Sequence, residues 1–235
     1  MIAIFAWAIF FLVVIFLAII VITTFNLLMA NDFPTKIETL NPNNFKTGDI
    51  LTVGYRHGMG WFVTFWSKSV WSHTGTVWID TKTKEVFVLE AANYGGDWNG
   101  VIKIPFTLWI KINKCSDICI NRIQTDSHSH VDSKALHSAF EQIKGNKLEA
   151  FNINWYRLLL KTKWYEETKP EARTCYELSI KILQNAGIVQ KKYMGSSYFP
   201  KDFVWGKLDM EPGFSFQEPV MLDPRIYYAQ LKNIF

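Results

Sequence analysis

Between Met1 and Asn31 the chain has no ionisable side chain, and from Ile2 to Ile22 it is almost wholly Ile, Phe, Leu, Val, Ala and Trp. Cysteine is scarce as well: three in 235 residues do not make a disulfide framework. Cys115 and Cys119 are close enough to pair or to share a metal. No second ligand pair at zinc spacing accompanies them, so they read as free thiols near a strand. Arginine-rich arms and nucleic-acid motifs are missing, and the net charge of +4 is spread out. Its densest patch, Lys161, Lys163, Lys169 and Arg173, is broken by Glu166, Glu167 and Glu171, which reads as a solvated face and excludes nucleic acid as a partner. Internal repeats and low-complexity tracts are absent too.

The uncharged N-terminal run, taken as one helix rising about 1.5 Å per residue, exceeds the roughly 30 Å hydrocarbon core of a bilayer. A cleaved signal peptide competes with this reading. It would require a basic n-region, a shorter apolar core and small residues before the cut, and Leu28-Met29-Ala30 is a poor site. The expectation is an uncleaved anchor over residues 1–30, with the lipid bilayer as a partner. Lys36 and Lys46 after the apolar run favour a cytoplasmic C-terminal domain in a single-pass protein of a cellular or virion membrane. Residues 31–47, with Pro34 and Pro42, read as a linker. Residues 48–235 are expected to form one packed domain.

Within that domain the first half reads as sheet. Ile50 to Val53, Ser72 to Ile79, Glu85 to Ala91, Val101 to Ile104 and Ile118 to Ile123 are strand candidates, and the polar turn Asp80 to Lys84 makes the second and third a hairpin. Helices dominate the second half. Asp132 or Ser133 caps a run from Lys134 to Ile143, an apolar run spans Trp155 to Leu160, and another helix runs from the region of Cys175 towards Gly187. Trp61 to Ser72 reads as a short helix or turn dense in aromatics, more often core than a binding wall. The stretch from Tyr198 to Phe203 opens a tail without clear period.

Cys175 is the residue around which a chemistry can be built. Leu178, Ile182 and Leu183 fall at helical spacing behind it, which places the thiol in the first turn of a helix. There the unpaired N–H groups and the positive end of the helix dipole favour a thiolate. A thiol nucleophile also needs a base and a polar group to orient that base. His73 and Glu90 lie on the two strands of the predicted hairpin, so cross-strand pairing can bring them together. Glu90 ends an otherwise apolar run, where a carboxylate is costly unless paired.

Gly48-Asp49-Ile50, Ser72-His73-Thr74-Gly75, Val88-Leu89-Glu90-Ala91, the Arg122 strand and Thr174-Cys175-Tyr176-Glu177-Leu178, in that order, resemble the circularly permuted branch of the NlpC-type, papain-like superfamily. That branch holds lecithin:retinol acyltransferase-like, bacterial lipid-associated and poxvirus proteins. The resemblance covers roughly residues 45 to 205. It implies an α+β fold, an antiparallel sheet packed on helices behind the N-terminal transmembrane helix. It also implies Cys175 as nucleophile, His73 as base and Glu90 as the third residue. Many relatives carry a small Ser after the cysteine, where this chain has Tyr176, which bears on substrate shape.

Candidates for substrate contact are Tyr176, His57 in its Gly-rich turn, and Trp71. His128 and His130 are loop histidines without a fixed carboxylate or thiol partner, and even with His137 about a helix turn further on they read as solvated, so neither a metal nor a cofactor is expected. The leading reading is a membrane-anchored thiol hydrolase or acyltransferase acting on an amide or (thio)ester, possibly lipid-linked. The rival is a structural or scaffolding protein that keeps the fold without catalysis, with protein partners in a membrane or virion assembly.

Overall fold

The computed structural model describes residue 7 and residues 10–21, 32–55, 63–64, 67–95, 98–114, 116–145, 174–192 and 198–225. Seven strands form one sheet in the order β1-β9-β6-β2-β3-β4-β5. They are β1 (Ile37–Thr39), β2 (Ile50–Gly54), β3 (His73–Ile79), β4 (Val86–Asn93), β5 (Asn99–Pro105), β6 (Asp117–Asn121) and β9 (Val220–Asp223). A two-stranded sheet pairs β7 (Ile123–Thr125) with β8 (Phe214–Phe216). Helices α1 (Phe106–Ile112), α2 (Ser133–Glu141), α3 (Cys175–Asn185) and α4 (Pro200–Val204) accompany the sheets.

The fold is thus α+β, but its sheet is mixed. β1 pairs with β9 in parallel, whereas the other pairs of the large sheet are antiparallel. The parallel strand comes from residues 31–47, the expected linker, which also hold a short 3-10 turn at Pro42–Asn44 capped by Asn41.

A second correction concerns the N-terminal anchor. Among the described residues no helix is long and apolar enough to cross a membrane. The expectations of a transmembrane helix behind the fold and of a single-pass membrane protein are overturned on that ground. Composition along the run met the requirement for a span, but among the described residues no helix combines the length and the apolar character that a span requires.

Side-chain alternation divides the core between the two faces of the sheet. Leu51, Val53, Val77, Val88, Ile104, Ile118 and Ile120 pack with Phe106, Trp109 and Ile110 of α1 on one face. Trp78, Leu89, Ala91 and Val101 pack with Leu136 and Phe140 of α2 and Leu178 and Ile182 of α3 on the other. An 11-residue helix such as α3 is marginal on its own in water. Complete burial of Leu178, Ile182 and Leu183, each contributing about 1.5–3 kcal/mol, is what holds it against β3 and β4.

One polar hub ties the entry of the chain to the rest. Asp32 is buried and accepts hydrogen bonds from the Ser69 hydroxyl, the Val70 N–H at 2.9 Å and the Trp205 indole N–H at 2.6 Å, while its carbonyl oxygen accepts from the Trp71 indole at 3.0 Å. It joins the segment before β1, the loop before β3 and the end of α4.

Candidate active site

Thr174 starts α3 by a reciprocal cap. Its hydroxyl accepts from the Glu177 N–H at 3.3 Å and the Glu177 carboxylate accepts from the Thr174 N–H at 3.1 Å. The cap engages the N–H groups of Thr174 and Glu177 but not those of Cys175 and Tyr176, the first two helical residues. One turn further, Ser179 Oγ lies 3.2 Å from Thr74 Oγ1, both buried, which pins α3 to β3 beside His73. Cys175 is therefore set at the start of β3, and the Thr74 N–H and the His73 ring both face its sulfur.

His73 opens β3, and its Nε2 lies 2.7 Å from Glu90 Oε2. With that nitrogen committed, Nδ1 is the one left for the thiol. The register explains how Glu90 reaches it. Continuing the β3–β4 ladder from Thr76↔Leu89 sets Glu90 opposite Gly75, two residues along from His73 on the same side. A Cβ on Gly75 would sit 2.4 Å from Val88 Cγ1 and 3.7 Å from Glu90 Oε2. The missing side chain at Gly75 leaves the space across which the carboxylate leans towards the imidazole.

The electrostatics follow from this packing. Burial pulls the His73 imidazole down, but the Cys175 sulfur and the hydrogen bond to Glu90 outweigh it and hold the ring well above its ordinary range. Burial pushes the Cys175 thiol up, and the His73 ring and the Thr74 N–H more than reverse that, leaving it lowered. A thiolate facing an imidazolium is the state these directions favour together.

Cys175, His73 and Glu90 are thus brought into one cluster; the substrate-contact candidates are placed otherwise. Cys175 and Tyr176 are successive on a helix and point about 100° apart. The thiol turns to His73, whereas Tyr176 is buried among Ile50, Tyr198 and Phe203, its ring 6.1 Å from that of Phe199. Trp71 is completely buried in another cluster with Cys119 and Val204, and its ring meets Phe33 edge-on. His57 lies outside the described residues, as does Cys115. Cys119 is a buried free thiol in β6, pushed up by burial. His137 stacks on Trp78 at 4.2 Å.

Residues that the sequence reading passed over complete the surroundings. The Trp109 indole N–H donates to Glu90 Oε2 at 3.0 Å. The Tyr55 hydroxyl donates to Asn113 Oδ1 at 2.5 Å and lies 3.4 Å from the Tyr94 hydroxyl, and the Tyr55 ring tilts over His73 with centroids 5.4 Å apart. The Tyr55 N–H donates to Ser72 Oγ at 2.9 Å, next to His73. Phe106, Trp109 and Ile110 after Pro105 already carry a helical spacing, and that was the available signal for α1.

No family model matches the chain, and no curated protein matches it. Among solved structures it is similar to the crystal structure of the metalloprotein YiiX from Escherichia coli O157:H7, described as DUF1105, with 20% identity and a TM-score of 0.43. The match covers 60% of this chain and 66% of that one, so the chain spans just under two thirds of the length of that structure.

Proposed function

We propose that the chain is a thiol hydrolase or acyltransferase of the permuted papain-like kind, with Cys175 as nucleophile, His73 as general base and acid, and Glu90 as the group that orients His73. The observation that carries this reading is the continuous contact from Glu90 through His73 to Cys175, with the sulfur at a helix start. His73 takes the thiol proton, and the thiolate attacks the carbonyl carbon of an amide or (thio)ester. The S–C bond forms as the C=O electron pair moves onto oxygen. The N–H of Cys175, left outside the reciprocal cap, supports the oxyanion. Collapse of the tetrahedral species breaks the bond to the leaving group, which takes the proton from His73. Water, or an acceptor hydroxyl, amine or thiol, then attacks the thioester with His73 again as base.

The test is a pH profile of iodoacetamide alkylation, read at the Cys175 peptide by mass spectrometry, in the parent and in His73→Ala. The parent is expected to react with a midpoint below the ~8.5 of a free cysteine and the variant above it. Superimposable curves near the free-cysteine value would sink the enzyme reading and leave a scaffold that keeps the fold.

A further inference from the structure

Glu90 is completely buried, and its two oxygens are treated unequally. Oε2 faces the His73 Nε2 and accepts from the Trp109 indole N–H, whereas Oε1 has no hydrogen-bond partner among the described residues. Trp109 is itself fixed from two sides. Its ring stacks on Phe106 at 5.8 Å, and its carbonyl oxygen accepts from the Asn113 side-chain amide at 2.9 Å. Asn113 in turn receives the Tyr55 hydroxyl, whose ring covers His73. Helix α1 therefore closes a ring of contacts, running Glu90 to Trp109 to Asn113 to Tyr55 and back to the His73–Glu90 pair.

We infer that Trp109 is a positioning residue for the thiol chemistry: its indole N–H selects which Glu90 oxygen faces His73 and keeps that oxygen aimed at Nε2. The inference rests on the thiol reading above. Its physical basis is that a buried carboxylate is costly unless hydrogen-bonded, and a bond from a neutral donor to a charged acceptor is among the stronger ones. With the indole N–H removed, Oε2 keeps one donor and Oε1 still has none. The carboxylate can then turn, and the imidazolium loses the negative partner that helps it stabilise the thiolate. Trp109 touches neither the thiol nor a substrate, so its effect runs through Glu90 and His73.

The titratable groups facing the Cys175–His73 pair are Tyr55 just past β2 and Glu90 on β4, with Tyr94 just past β4 behind them. Burial holds both phenols up, so they stay neutral through the range in which the thiol titrates.

The experiment replaces Trp109 by β-(3-benzothienyl)alanine, the isostere with sulfur in place of N–H, so that core volume is retained. Alkylation of Cys175 by iodoacetamide is followed against pH, with Phe106→Leu as a control that loosens the same packing while leaving the indole donor in place. The isostere is expected to raise the midpoint by about one pH unit and to cut labelling at pH 6 several-fold. The control should keep the parental midpoint. A low parental midpoint that the isostere leaves unmoved overturns the role of Trp109 while the thiol reading stands. An equal rise in Phe106→Leu also overturns it, since packing would then carry the effect. A parental midpoint at the free-cysteine value overturns both.

Discussion

Two carboxylates are buried in the same sheet, and the protein handles them differently. Asp49, entering β2, accepts from the Lys46 N–H at 2.9 Å and has the Ile123 backbone and, further off, Arg122 as its favourable neighbours. Burial outweighs them and pushes its carboxyl up to about 6. Glu90 receives an imidazole and an indole N–H on one oxygen. Each has a second oxygen without a partner among the described residues. Burial therefore does not by itself mark the acid that belongs to a reaction. The difference is the partner: Asp49 closes a turn, while Glu90 is coupled to a group whose proton can move.

The largest expected effect tests whether Glu90 and His73 serve the thiol at all. Cys175→Ala should abolish turnover of any amide or thioester the chain accepts. His73→Ala should lower the alkylation rate of Cys175 at pH 6 by roughly a hundredfold, since each unit of thiol pKa is tenfold in thiolate at pH below it. A rate within twofold of the parent would make the two carboxylates equivalent, both merely structural.

Asp49 gives the next largest effect. Its folded value of about 6 lies above the ~3.9 of an unfolded aspartate, so the native state binds more protons between those values. Its contribution is fully present below pH ~4 and is lost as pH rises through 6, about 3 kcal/mol in total. In Asp49→Asn that slope should vanish from denaturation curves measured between pH 4 and 7. Stability curves running parallel in parent and variant would count against the buried-acid account.

Gly75→Ala probes the space that lets Glu90 lean over. The added Cβ meets Val88 Cγ1 at 2.4 Å, so the strands must shift, at a cost of about 1–3 kcal/mol. The alkylation midpoint should rise as well, because the same shift moves Glu90 away from His73. An unchanged urea midpoint would show that the hairpin absorbs the methyl group.

Glu90→Gln should have the smallest effect. It keeps side-chain size and a hydrogen bond to the imidazole but loses the charge, and we expect a rise of about one pH unit in the Cys175 midpoint. A shift as large as that of His73→Ala would mean that Gln disrupts the ring's placement rather than its charge alone.

Much of this cluster was legible in the sequence because its signals are local. Cys175 was placed in a helical first turn by the spacing of Leu178, Ile182 and Leu183, and His73 and Glu90 by two strands joined through the short turn at Asp80. What could not be read was non-local. Trp109 and Tyr55 reach the site through α1 and the end of β2, and nothing in their own segments announces a carboxylate or an imidazole. The β1–β9 pair joins residues near both ends of the chain, and three-residue β1 has too little pattern to be recognised. The N-terminal expectation failed for a related reason: hydropathy reports which surroundings a segment tolerates and does not by itself fix its secondary structure.

In mechanical terms, the Asp32 hub makes the entry of the chain a lever on the site. A load drawn along the N-terminal segment meets Asp32 first and passes through the Val70 and Trp71 bonds to the stretch immediately before His73. It also branches through Trp205 to the end of α4. Both branches end on the Cys175 helix, one through the Thr74–Ser179 contact beside His73 and the other through Phe203 of α4, which packs in one cluster with Cys175 and Tyr176. Tension at Asp32 would therefore strain the supports of base and nucleophile together.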